Sequence, residues 1–248
     1  VQGGPVALHT LLGQAPARIP TGGKIRPGIM VLTRKAAEHP EAKAIYRQGV
    51  DEGRSFEEIE RRLAQAMPGT IEVTFAGAEA NVAVAIVQLG GCAEFVSALP
   101  VDALGAAAVA AVRTTGVGVG GVLRREAGRC GLYFVETGAS QRGGLVIYDR
   151  ADSTFAITPA EAYPWELHLA GAGWFHTTGI SAGVSRIAAA ATRSAVKAAR
   201  QAGVTVSCDL NFRRKLWRWE PGVSPEELSR RTLAGILPDV DVLIGNGH

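Results

Sequence analysis

The sequence predicts an α/β protein with a mostly parallel sheet flanked by helices and interrupted by one β-hairpin. Three observations carry that expectation. From residue 93 onward, short apolar runs alternate with helical runs, as in VTVSCDLNF (204–212) followed by the helical pattern at 224–236. Strands of that kind are covered on both faces and belong to parallel sheets. A hairpin pattern breaks the alternation once: RCGLYFVET and GGLVIYDR, joined by GASQRGG, lie between residues 129 and 150. The third observation is the stretch FAGAEANVAVAIVQLGG, in which Gly77 and Ala78 lead directly into an apolar helix. A small-residue turn at a helix start admits a ligand close to free N–H groups.

Taken in order, residues 1–30 are rich in Gly and Pro and show no sustained period, so they read as a loop or weakly ordered arm. Residues 31–67 read as helical. Pro40 suits a first helical turn with Glu41 beside it, and Ser55 with Glu58 forms a capping-box pattern ahead of Phe56, Ile59 and Leu63. A strand is expected at 71–75, a helix at 78–89, a strand at 93–98 and a helix at 103–115. After the hairpin come a short polar helix or turn at 159–167 and a strand ending in a polar turn within 167–181. A long Ala-rich helix at 182–202 precedes the strand at 204–212. Ser224 and Glu227 cap the next helix, and a buried strand is expected at 240–246.

Composition limits the function classes. With 248 residues, 47% hydrophobic and 20% charged, the chain has enough material for one α/β domain or two small ones. The net charge of +3 is small, and the charges at 1–69 mix signs, so nucleic acid is not an expected partner. No run of 18 apolar residues suggests a membrane span. Cys92, Cys130 and Cys208 lack metal-ligand spacing and pairing logic, which fits buried free thiols in a reduced, cytoplasmic protein. The chain starts at Val1 and stops after Gly247-His248, and it reads as a fragment.

In parallel α/β sheets, ligands bind beyond the carboxyl ends of the strands. Thr177-Thr178-Gly179, the Asp209 to Arg213 turn and Asn246 fall there. GAEANVAVAIVQLGG, PVDALG, the hairpin GLYFVETGASQRGGLVIYDR, HTTGIS and DLNFRRKLW occur in that order over residues 70–246. Together they resemble the ribokinase-like carbohydrate kinases of the PfkB type, and within these the 2-keto-3-deoxygluconate kinases. The resemblance implies a ribokinase-like domain at 70–248, its lid hairpin at about 129–150, after a helical segment at 1–69 outside the family pattern. It also implies a lid that pairs in a homodimer.

The resemblance implies a substrate site as well. Gly77, Ala78, Glu79 and Asn81 match the turn and helix start that touch sugar hydroxyls, with Ala76 where the motif has a second Gly. Tyr148 and Arg150 match lid residues that contact a sugar acid, and Arg213 matches the Arg ending the DLNFR strand. Two Arg side chains on one carboxylate would favour a sugar acid over a neutral sugar. Read as plain residues, Arg150 is also compatible with a solvated strand end, Arg213 with a surface base among Arg214, Lys215 and Arg218, Tyr148 with lid packing and Asn81 with an ordinary helix position. Asp102 is expected to cap a helix, and His176 to pack at a strand end.

Two family parts are missing from the sequence. No acidic strand is legible in residues 1–70. The GAGD-type turn, whose Asp serves as base, is absent; Gly171-Ala172-Gly173-Trp174 lacks the Asp. Asn246 resembles the Asn that opens the motif linked to phosphates and Mg²⁺. ATP and Mg²⁺ are the cofactors the full-length family implies, but no catalytic or metal residue is assigned to this chain. The expected function is that of an ATP-dependent sugar-acid kinase, inactive as this chain stands. The alternative is a non-catalytic sugar-binding or interaction module.

Overall fold

A computed structural model describes residues 29–34, 72–136 and 145–245. The strands are β1 (Ile29–Arg34), β2 (Glu72–Ala76), β3 (Ser97–Pro100), β4 (Val122–Arg125), β5 (Leu132–Glu136), β6 (Leu145–Asp149), β7 (Trp174–Thr178), β8 (Thr205–Asp209) and β9 (Val242–Ile244). The helices are α1 (Ala78–Gln88), α2 (Ala103–Thr114), α3 (Thr154–Ile157), α4 (Trp165–Leu169), α5 (Gly179–Gly183), α6 (Arg186–Gln201) and α7 (Pro225–Ala234).

Three sheets organise the described residues. β7, β8 and β9 form a parallel sheet in that order, and β3 pairs with β4 in parallel. The lid sheet has the order β2-β1-β5-β6. Its hairpin is the expected one: Tyr133 lies opposite Tyr148 and Val135 opposite Val146. The lid also contains β1 and β2, which the hairpin reading omitted. β1 runs antiparallel to β2 and parallel to β5.

β1 corrects the reading of the N-terminal region. Residues 29–34 form a strand, where a loop and then a helix were expected. Ile-Met-Val-Leu-Thr-Arg suits either state by composition, and the open edges of β2 and β5 on both sides select the extended one. The helices expected at 41–67 lie outside the described residues. Other boundaries shift by a few residues. β3 begins at Ser97, since 94 makes only an isolated bridge to Gly118. The long helix expected at 182–202 is divided into α5 and α6, because Ser185 caps α6 by accepting from the Ala188 N–H at 2.9 Å.

α6 buries one stripe through Ala188, Ala191, Ala195, Val196 and Ala199. Of these, Val196 and Ala199 pack in a core with Val206 of the parallel sheet and with Trp217, Leu228 and Ile236. α1 and α2 make a second core from Ala80, Val84, Val112 and Val117 around Phe75. Ser224 caps α7 by accepting from the Glu227 N–H, and Asp102 caps α2 by accepting from the Gly105 N–H at 2.7 Å, both as expected. β9 differs from the buried strand expected at 240–246. Val242, Leu243 and Ile244 are 38%, 54% and 47% exposed, an open apolar edge among the described residues. Cys130 and Cys208 are buried free thiols, whereas Cys92 is exposed. Burial pushes the pKa of each buried thiol up to about 11.

Gly179 shows how tightly the sheet ends pack. A Cβ there would stand 2.2 Å from the Leu210 carbonyl oxygen, which is backbone and cannot step aside. Gly179→Ala is expected to cost about 3 kcal/mol, lowering Tm by roughly 6–12 °C for a chain of this size. Differential scanning calorimetry checks this, and an unchanged Tm would contradict the close approach.

Candidate substrate site at the lid

The site is built where β7 ends, α1 begins and the lid folds over them. α1 starts at Gly77, whose φ of −175° is extended backbone that any residue adopts. The Asn81 N–H bonds back to the Gly77 carbonyl at 2.8 Å, leaving the first-turn N–H groups without helical partners. Glu79, in that first turn, reaches across to the end of β7. Its carboxylate accepts from the Thr178 hydroxyl at 2.8 Å and from the Ser181 hydroxyl at 2.5 Å. Glu79 therefore ties two segments about a hundred residues apart.

The lid supplies the charge. Arg150 follows β6 and is only 7% exposed. Its guanidinium lies 5.3 Å from the centre of the Tyr148 ring and 5.6 Å from that of Tyr133. Its Nε is buried with no hydrogen-bond partner among the described residues. Burial pulls the Arg150 pKa below the ordinary arginine value, while Tyr148, Tyr133 and Glu79 oppose that shift. Arginine stays cationic under any such shift. Burial also pushes the Tyr133 hydroxyl up to about 12, against the pull of Arg150 and Arg213, so Tyr133 meets a ligand as a neutral hydroxyl near pH 7.

The end of β8 adds the remaining polar groups. The Asn211 N–H donates to Asp209 Oδ1 at 3.1 Å in a turn where Asn211 has φ of +34°, a conformation that Asn tolerates. Lys215 Nζ donates to the Val146 carbonyl at 2.8 Å, clipping this turn to β6. Arg213 is exposed, and its Nη1 donates to the Phe212 carbonyl at 3.3 Å. Its positive charge is close enough to oppose the rise of the Tyr133 pKa.

The structure brings Gly77, Glu79 and Arg150 together around one cavity of about 950 Å³. Tyr148 flanks Arg150 without lining that cavity, and neither Arg213 nor Asn81 lines it. Asn81 holds a buried Oδ1 with no partner among the described residues. Ala78 takes the first position of α1. Asn246 lies outside the described residues. His176 packs at the strand as expected, its Nδ1 2.8 Å from Ser207 Oγ. Three participants escaped the sequence reading. Thr178 was flagged only as a strand end and Ser181 not at all, although HTTGIS places both hydroxyls beside a turn. Tyr133 was read as a strand residue, and only the register that sets it against Tyr148 reveals the second wall of the Arg150 pocket.

A buried cation with free hydrogen-bonding capacity, two aromatic walls and unpaired helix N–H groups can hold a small polyhydroxylated anion. Comparison with known proteins gives the family. The model of the pfkB family carbohydrate kinases matches residues 43–248, and the chain belongs to that family. The match begins before residue 70, where the sequence reading had placed the family's start. The chain is 38% identical over 178 residues to a 2-dehydro-3-deoxygalactonokinase of Haloferax volcanii, covering 71% of this chain and 52% of that protein. It is 36% identical over 141 residues to fructokinase-1 of Oryza sativa, covering 57% and 43%. The crystal structure of 2-dehydro-3-deoxygluconokinase from Thermotoga maritima superposes with a TM-score of 0.68 at 34% identity, covering 90% of this chain and 59% of that one. The fold is ribokinase-like, and the chain spans about half the length of the curated relatives it matches.

The Glu79 bridge yields a test by double substitution. Thr178→Val alone leaves the carboxylate paired with Ser181 and is expected to cost about 1 kcal/mol. With Ser181→Ala added, the Glu79 carboxylate loses both partners, and the cost is expected to exceed the sum of the singles. Urea unfolding of the four proteins measures this; strict additivity would show that the bridge is not a unit.

Proposed function

We propose that this chain is the sugar-binding portion of an ATP-dependent kinase that phosphorylates a sugar acid of the 2-keto-3-deoxygluconate class. The observation that carries the reading is Arg150, a buried guanidinium between Tyr133 and Tyr148 whose Nε lacks a hydrogen-bond partner among the described residues. A neutral sugar gives no return for burying a cation, whereas a carboxylate pairs with it through charge-assisted hydrogen bonds. Arg213, whose charge is felt at Tyr133, supplies the second positive charge of this reading. In this reading Asn81, Glu79 and the α1 N–H groups face the sugar hydroxyls.

Phosphoryl transfer would need more than this chain supplies. The sequence has no GAGD-type base, and among the described residues no group of three acidic, His or Cys side chains could hold a metal ion. Asn246 is the residue proposed to meet the nucleotide of the ATP and Mg²⁺ that the family uses. We therefore propose that the chain binds the sugar acid without turning it over. A non-catalytic binding role in the cytoplasm, with the lid pairing two copies, is the second reading.

Calorimetry with 2-keto-3-deoxygluconate and fructose separates the possibilities. The acid is expected to bind more tightly than fructose, and Arg150→Met to weaken acid binding by roughly 10- to 100-fold. The same substitution is expected to leave Tm unchanged or raise it, because an unpaired buried charge is removed. Equal or tighter fructose binding would overturn the sugar-acid reading. A coupled assay for ADP should show no turnover, and clear activity would overturn the proposed inactivity.

A further inference from the structure

β7 carries a polar set beyond the Glu79 bridge. Side chains alternate between the faces of a strand, so Trp174, His176 and Thr178 share one face. Phe175, on the other, packs with Val206 in the core beneath α6. Ser207 lies opposite His176 on β8 and is 2% exposed, and its hydroxyl meets two rings. Trp174 Nε1 donates to Ser207 Oγ at 2.7 Å, and His176 Nδ1 lies 2.8 Å from the same oxygen.

The chemistry of the three groups assigns their protons. An indole N–H only donates, so Ser207 Oγ is its acceptor. Among the described residues, the Ser207 hydroxyl proton then has one acceptor within reach, His176 Nδ1. Leaving a buried hydroxyl proton without an acceptor is costly. His176 Nδ1 therefore accepts, and the imidazole is neutral with its proton on Nε2. That Nε2–H has no hydrogen-bond partner among the described residues. His176 is half-buried and lines the same cavity as Gly77, Glu79 and Arg150. It stands about 6–7 Å along the strand from Thr178, and Thr178 donates to the Glu79 carboxylate. A ligand held at Glu79 therefore comes within reach of an imidazole N–H donor.

We propose that His176 is a substrate-binding residue whose Nε2–H donates to an oxygen of the bound sugar, with Ser207 and Trp174 as positioning residues that hold it in the tautomer able to do so. This rests on the sugar-binding reading above and deepens it. The two donors divide the recognition. Arg150 pairs with a carboxylate, whereas a neutral N–H serves a hydroxyl or keto oxygen of acid and neutral sugar alike.

The long-range ¹H–¹⁵N spectrum of the histidine rings in the full chain reads the tautomer directly. At about pH 8, where histidine is ordinarily neutral, His176 is expected as the Nε2–H form, and Ser207→Ala should turn it into a mixture. Saturating 2-keto-3-deoxygluconate should shift the Nε2 signal. Calorimetry then compares the acid with fructose. His176→Asn keeps an acceptor for Ser207 and removes the Nε2 donor, and it is expected to weaken both ligands by about 5- to 10-fold. His176→Gln, which returns an N–H near the Nε2 position, should restore binding to within about threefold. A mixture of tautomers in the unsubstituted chain, an Nε2 signal indifferent to the ligand, or unchanged binding in His176→Asn overturns the proposal. None of these touches the sugar-acid reading, which stands on the separate loss of acid binding in Arg150→Met. Tighter binding of fructose than of the acid overturns that reading alone, and weaker fructose binding in His176→Asn then still supports the role of His176. Failure of both ligands to bind overturns both.

Discussion

The carboxylate of Glu79 is the contact on which the arrangement of the site depends. Glu79 stands in the first turn of α1, directly after the lid strand β2, and it accepts from Thr178 and Ser181 at the end of β7. β2, α1 and β7 are thereby held at one point, although β7 lies about a hundred residues downstream. Thr178 is 1% exposed, so this polar contact operates away from water, where an unpaired carboxylate would be costly. The family resemblance assigns Glu79 to the sugar hydroxyls. The geometry gives it a prior duty, which is to hold the α1 turn against the strand end.

Around that anchor, the structure spends stability on binding capacity. Arg150 is buried among aromatic rings, and its Nε and the Asn81 Oδ1 have no hydrogen-bond partner among the described residues. Unpaired buried polar groups of this kind are costly until something supplies the missing partners.

The exposed strand β9 belongs to the same pattern. Three consecutive apolar residues at the edge of a parallel sheet are unusual in a finished domain. They are consistent with a chain that spans 59% of the Thermotoga maritima kinase to which it is similar.

The sequence by itself determined the local elements and the family. The capping residues Asp102 and Ser224, the Ala stripe of α6 and the alternation of β5 and β6 act over a few residues, so their patterns are legible without a fold. The ordered motifs from GAEANVAVA to DLNFRRKLW were sufficient for the carbohydrate kinase assignment and for naming Arg150. Only the tertiary structure decided which groups meet. β1 became a strand because β2 and β5 offered it edges, Tyr133 joined the Arg150 pocket through its register with Tyr148, and Glu79 found Thr178 and Ser181 across the fold. Such partners are distant in sequence, and neither propensity nor spacing encodes a contact between segments that touch only after the chain has folded.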